Sequence, residues 1–203
     1  MDLVEEVHFA RHGTGGPQCE ADRRAAVRRP AHEWRDGRWL TRRGGSGGEL
    51  CWFPDPVGGR DAYLADTAEP LMALARTGNL LRCSARMVLS RRDRIEHHLP
   101  KVLPVPPEGG VGAVRVEMRG AVGAERVTLV LGALDRPGVA AGAMASEVVM
   151  AILGGEAPAG VLGAGSVADP VSLLRRLRGR GVRVAELCGP AGGPEDPEKR
   201  SHH

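Results

Sequence analysis

Between Val114 and Leu131 two runs of alternating apolar residues flank a glycine-bearing turn, and this pattern restricts the fold more than any other in the chain. Val114, Val116 and Met118 repeat with period two, as do Val127, Leu129 and Leu131. Period two places one apolar face on each strand, and the turn at Gly120 to Ala124 predicts that the two strands pair as an antiparallel hairpin. Directly after it, Asp135 is placed to cap a long helix from Arg136 to Leu153, which Gly154-Gly155 ends. Its line of Gly138, Ala140, Ala141, Gly142 and Ala145 predicts close packing of that helix on a sheet.

The flanking sequence supplies further elements. Leu3 to Phe9 reads as a short strand, broken by Gly13 to Gly16 before a short helix in the Arg/Ala-rich stretch Cys19 to Arg29. Asp66 is placed to cap a helix to Arg76, with Pro70 in its first turn and Gly78 as its stop. Leu81 to Leu89 alternates like a strand with one covered face. Ser90 to Leu99 reads as a polar helix and the Pro/Gly-rich stretch Pro100 to Gly112 as a connecting loop. Asp169-Pro170 starts a helix to Gly179, and Val182 to Leu187 forms a last strand. Helices and strands mix without regular β-α-β alternation. The expected fold is therefore α+β, with a mixed, mainly antiparallel sheet and helices packed on one face.

Three segments are expected. Residues 1–48 form an N-terminal arm with a short strand, a basic segment and a glycine-rich linker at Thr41 to Gly48; residues 49–188 form an α+β domain; residues 189–203 form a disordered Pro/Gly/charge-rich tail. A hydrophobic content of 42% is enough for a core, and with only 3% aromatic residues that core must be filled by Val, Leu, Ala and Met. Lys101 and Lys199 are the only lysines, so arginine dominates the 28 basic residues, as a GC-rich coding sequence produces. The net charge is only +3, and the basic stretch Arg23 to Arg43 is interleaved with Glu33 and Asp36 and carries no nucleic-acid signature. We expect no nucleic-acid partner.

Cys19, Cys51, Cys83 and Cys188 stand far apart with no C-x-x-C pair, which predicts free thiols in a reducing cytoplasm and no metal. Asp2, Glu5 and Glu6 stand where a signal peptide carries positive charge, so none is expected, and no apolar run reaches the length of a membrane span. The expected location is cytoplasmic, with no membrane partner.

Candidate chemistry gathers in two places. Trp52, Phe53, Asp55, Arg60, Asp61 and Tyr63 concentrate an apolar wall, an arginine for a carboxylate and proton-transfer groups in one Pro/Gly-rich loop. The alternative is that Trp52 and Phe53 plug the core while Arg60 and Asp61 meet solvent. In the stretch Arg91 to His98, Asp93 and His97 lie four apart, so a carboxylate can orient a histidine as base, with Arg94 beside it. A solvated charged helix accounts for the same residues. His8, Arg11, His12 and the turn Gly13 to Gly16 read as an anion nest or as an ordinary strand-to-loop turn. Gly163 to Ala168 matches G-x-G-x-x-A, with Glu186 downstream, but the capping Asp169 lies beyond the glycines and a glycine-rich loop is the preferred reading.

The stretch Trp52 to Leu187, with FPDPVGGRDAY, SARMVLSRRDR, EGGVGAVRVEMRG, VTLVLGALDRPGVAAG and DPVSLLRRLRGRGV, resembles the C-terminal part of saccharopine dehydrogenase-like reductases. WRDGRW at Trp34 to Trp39 resembles their linker region, and the likeness covers about two thirds of the chain. The resemblance implies a substrate-binding, often dimerising half without the N-terminal Rossmann domain that holds NAD(P). The resemblance thus implies that this chain by itself takes no cofactor and is not an oxidoreductase, which we state as an expectation. The expected function is a cofactor-independent isomerase or cyclase of specialised metabolism, acting on a small organic substrate. In it Tyr63, Asp55 or His97 moves a proton, and Trp52, Phe53, Arg60, Asp61 and Arg94 bind substrate. The alternatives are a non-catalytic subunit of a split reductase, docking on a Rossmann-domain partner or as a homodimer through the hairpin and the small-residue helix, and a small-ligand binding module.

Overall fold

A computed structural model describes residues 2–13, 15–89, 110–161, 163–166 and 169–190. Among the described residues, nine strands and four α-helices follow in the order β1 (Leu3–His12), α1 (Pro17–Arg28), β2 (Ala31–Arg35), β3 (Arg38–Arg42), β4 (Glu49–Phe53), β5 (Gly58–Leu64), α2 (Glu69–Thr77), β6 (Arg82–Val88), β7 (Gly112–Val122), β8 (Glu125–Asp135), α3 (Pro137–Leu153), α4 (Pro170–Gly179) and β9 (Arg183–Pro190). One sheet runs β3-β2-β6-β1-β7-β8-β9, and β4 pairs with β5, which pairs with the end of β6. Only β1 and β6 run parallel among these pairs; the rest are antiparallel. The fold is the α+β class expected from the sequence, and segment 1–48 supplies β1, β2 and β3 of the same sheet as the remainder.

The hairpin is longer than its apolar runs. β7 and β8 pair from Gly112↔Asp135 to Val122↔Glu125, and the turn sits at Gly123, whose φ of 58° suits glycine. Register then sorts side chains between two faces, because neighbours along a strand point to opposite sides. Val7, Phe9, Cys83, Ala85, Met87, Val116 and Met118 share one face; Glu6, His8, Ala10, His12, Ser84, Arg86, Glu117 and Arg119 share the other. The apolar face takes the helices. α2 packs Ala73 and Leu74 with Val7, Leu80 and Cys83, α1 packs Ala26 and Val27 with Met87, and α3 and α4 pack on Ala133, Val182 and Val184. The expectation of helices on one face is thereby met.

The polar face is covered at one end by the β4–β5 hairpin, whose Cys51, Phe53, Val57 and Ala62 pack with Ala10, Val88, Ala113 and Leu134. Farther along it, Ser84 Oγ lies 2.8 Å from His8 Nδ1 and accepts from Arg86 at 2.7 Å, while Glu117 accepts from Arg115 and, at 2.6 Å, from Arg119. Burial alone raises the Glu117 carboxyl, but Arg115 and Arg119 outweigh it and leave the pKa below the ordinary range. Because both faces are covered there, β6 buries Cys83, Ser84, Ala85, Met87 and Val88, where alternation predicted a single covered face.

Other local expectations shift too. The Asp66 side chain does not cap α2; the N-cap position falls to Ala68, and Asp66 Oδ1 lies 3.4 Å from His32 Nδ1. Asp135 accepts from Arg136 N–H at 2.7 Å, but the N-cap residue of α3 is Arg136. Asp169 does cap α4, accepting from Ser172 N–H at 2.8 Å. In α3, Ala141, Gly142 and Ala145 face away from the sheet, because Ala140, Ala143 and Met144 make the packed side. Buried Glu147 joins α3 to α4, accepting from Arg180 and pairing with Arg176 Nε at 2.8 Å. The expected helix at Ser90 to Leu99, most of the loop at Pro100 to Gly112 and the tail beyond residue 190 lie outside the described residues. Among the described residues no helix is long and apolar enough to cross a membrane.

Candidate functional site

The parallel pair β1–β6 sets the position of a cavity. Both strands run towards the same end of the sheet, and the chain leaves β1 there through a glycine turn into α1. Cavities form at such carboxyl ends because the following loops diverge to either side. Here the space is about 700 Å³, within the range of small-molecule sites. Its wall comes from the end of β1 (Arg11, His12), α1 (Cys19, Asp22, Arg23), the segment entering α2 (Asp66, Thr67, Glu69), Met87 of β6, and the β8–α3 junction (Leu134, Asp135, Pro137).

Close packing at the turn accounts for its glycines. A Cβ on Gly13 would lie 2.7 Å from Gly112 Cα, and one on Gly112 would lie 2.6 Å from Pro137 Cγ, so β1, β7 and α3 meet with no room for side chains. Gly16 starts α1 with φ 119°.

The wall carries both signs of charge. Arg11 Nε lies 3.3 Å from a Glu69 carboxylate oxygen. Arg23 donates to Val88 O at 3.3 Å and pairs with Glu20 at 2.9 Å. Thr67 Oγ1 is buried and has no hydrogen-bond partner among the described residues. The ring of His12 sits 6.3 Å from that of Phe53. Burial, then the charges of Arg60 and Arg23, lower the His12 pKa, so at neutral pH the ring is an uncharged base.

The sequence-predicted site residues fall elsewhere. Trp52, Phe53, Asp55, Arg60, Asp61 and Tyr63 form the β4–β5 hairpin, and none of them lines the cavity. Trp52, Asp55, Arg60 and Asp61 are exposed, the Trp52 ring lies over Gly59, and Tyr63 packs against Gly48. Buried Phe53 alone reaches the cavity wall, through His12, although the charge of Arg60 is also felt there. His97 and Arg94 lie outside the described residues.

Of the turn read from the sequence as an anion nest or a strand-to-loop turn, Arg11, His12, Gly13 and Gly15 line this wall, whereas Cys19, Asp22, Arg23, Thr67, Glu69 and Asp135 were not among the candidate site residues. The available signal was a strand ending in Arg-His before a glycine turn and a helix, which a parallel strand pair makes a ligand position. The G-x-G-x-x-A segment contributes a short 3-10 turn at Ala164–Ser166, and Gly163 abuts Met72 of α2. Among the described residues no His, Cys, Asp and Glu cluster has the arrangement to hold a metal ion.

No family model matches the chain, and no curated protein matches it. A solved structure does: apo histidine-tagged saccharopine dehydrogenase (L-Glu forming) from Saccharomyces cerevisiae, at a TM-score of 0.58 and 11% sequence identity, covering 92% of this chain and 67% of that chain. At that identity the likeness is one of fold, and it gives this chain a saccharopine dehydrogenase-like architecture.

Proposed function

We propose that this chain is a small-molecule enzyme whose reaction is a proton transfer within one substrate, an isomerisation or cyclisation, carried out in the cavity at the end of β1. The observation that carries the reading is a cavity of about 700 Å³ with a neutral histidine, His12, in a wall that also bears arginines and carboxylates. A neutral imidazole takes a proton from an acidic C–H, N–H or O–H of the substrate and returns it to another atom. The step balances without an oxidant, and the substrate's bonds rearrange as the proton leaves and returns. Arg11 and Arg23 stabilise the negative charge that develops on the substrate between the two transfers. Thr67 Oγ1 offers a donor and acceptor with no hydrogen-bond partner among the described residues. The saccharopine dehydrogenase-like fold supports a small organic molecule as the ligand.

Native mass spectrometry of the chain isolated from its producing cells tests this reading. The expected result is a retained molecule that is lost from an Ala68→Trp variant, because Ala68 lines the cavity and is exposed to it. His12→Gln should still bind that molecule and lose at least 100-fold in its turnover. A wild-type chain that retains nothing from its own cells, or turnover unchanged in His12→Gln, overturns the proposal.

A further inference from the structure

The polar face of the sheet carries a second feature, separate from the cavity. Register sets Arg86 of β6 and Arg115 of β7 in one row with Ala10 of β1 between them, so two guanidiniums flank a position that bears only a methyl group. Both arginine side chains are largely buried, at 15% and 14% exposure. Strand β4 covers them. Burial pushes the Cys51 thiol up while the charges of Arg115 and Arg86 pull it down, which puts Cys51 near both guanidiniums.

The two side chains are only partly satisfied. Arg86 Nη1 donates to Ser84 Oγ at 2.7 Å and its Nη2 pairs with Glu49 at 2.9 Å, while Arg115 Nη2 pairs with Glu117. The Nε–H of each arginine is buried and has no hydrogen-bond partner among the described residues. A buried N–H on a charged group is costly when left unmade, so two of them in one row call for an acceptor. The charge count calls for an anion. On β1, β4, β6 and β7 this face sets Arg82, Arg86, Arg115 and Arg119 against Glu6, Glu49 and Glu117, four cations to three carboxylates, with His8 kept neutral by burial. A buried water would meet the N–H groups but leave the extra positive charge uncompensated.

We infer that this row binds one small monovalent anion, a halide such as chloride, between the Nε–H groups of Arg86 and Arg115 and over Ala10. Carboxylates and phosphates favour the paired N–H fork of a guanidinium, and in both arginines one arm of that fork is already taken, Nη2 of Arg86 by Glu49 and Nη2 of Arg115 by Glu117. One N–H remains on each side, which suits a single-atom acceptor. One negative charge also balances the fourth cation. Bound there, the ion ties β6 to β7 across β1 beneath β4, and because Arg86 is paired with Glu49 of β4 it fastens the β4–β5 hairpin to the sheet. Neither arginine lines the cavity, so the site stands apart from the proposed reaction.

Bromide is the probe, since it replaces chloride and scatters X-rays anomalously. In crystals of the full chain grown without halide and soaked in sodium bromide, an anomalous peak is expected in contact with both Nε atoms. In solution, exchanging gluconate for bromide at constant ionic strength should raise Tm saturably, by roughly 4–7 °C at about 20 times Kd. The same exchange should slow hydrogen exchange in the β4–β5 hairpin, and formate or phosphate in place of bromide should not reproduce either effect. Arg115→Met leaves three cations to three carboxylates, with Glu117 still held by Arg119, so it should fold in halide-free buffer and gain nothing from bromide. Where that variant folds poorly, the wild-type crystal and titration still decide. Bromide seated only on exposed arginines, a wild-type Tm indifferent to bromide, an equal gain in Arg115→Met, or an equal gain from formate overturns the proposal.

Discussion

Replacing Phe53 by alanine tests the seam between the β4–β5 hairpin and the cavity wall. Phe53 is 5% exposed and packs with Cys51, Val57, Ala10, Ala113 and Leu134 on one side and with the His12 ring on the other. Removing its ring forfeits about 2–3 kcal/mol of transfer free energy. The void adds to this at about 24 cal/mol per Å³, but Phe53 ends β4 beside exposed residues, so the hairpin settles inward and keeps that contribution near 1 kcal/mol. The total is about 3–4 kcal/mol, which for a chain of this length lowers Tm by roughly 6–16 °C. A second readout is independent of stability. Burial is the largest cause of the lowered His12 pKa, and Phe53 is one of the groups that bury the ring, so Phe53→Ala should move that pKa up towards 6.5. Urea unfolding followed by fluorescence measures the first quantity, and NMR titration of the His12 ring protons measures the second. A stability loss below about 1 kcal/mol, or a His12 pKa that does not move, would refute the packing described here.

Burial lowers the pKa of His8 as well as His12, so the folded chain resists protonating two rings that the unfolded chain protonates freely. Stability should be full above the unfolded value near pH 6.5 and fall below it, by at most about 1.4 kcal/mol per pH unit for each ring, until the lowered folded values are reached; denaturant titrations across that window measure the slope. Cys83, whose pKa burial pushes up to about 12, and buried Cys51 should remain unmodified by a thiol reagent that labels exposed Cys19, as peptide mapping will read; labelling of Cys83 before unfolding would contradict its burial. Leu177→Ala should cost about 2–4 kcal/mol, because Leu177 joins Leu173 and Val182 in the cluster beneath α3. Hydrogen exchange should then rise in α4 and β9 before the β1–β6 pair.

The features legible in the sequence were the local ones. The hairpin at 112–135, the Asp169 cap and the glycine ends of α2 and α3 each depend on residues within a few positions of one another, and the structure keeps them. The Asp66 and Asp135 expectations moved by one or two residues because an acidic side chain near a helix start has other partners within reach, His32 in the first case. Of the small-residue line of α3, Ala140 packs inward as expected while Ala141, Gly142 and Ala145 face outward, for a related reason. Gly and Ala permit close approach on any face, and only the positions of Ala140, Met144 and Glu147 against β8, β9 and α4 decide which side is inward.

By itself, then, the sequence determined the period of each segment, the class of fold and the single charge, Glu147, along α3, since these follow from short-range sterics and from which residues are present. Tertiary structure alone decided that β1 lies between β6 and β7, parallel to one and antiparallel to the other. That choice brings residues 11–29, 66–72, 112–114 and 133–140 around one cavity, although up to about 130 positions separate them along the chain. Alternation specifies that a strand has two faces but carries no information about its neighbour. The partner is selected by how well whole faces bury against each other, which is a property of the assembled sheet.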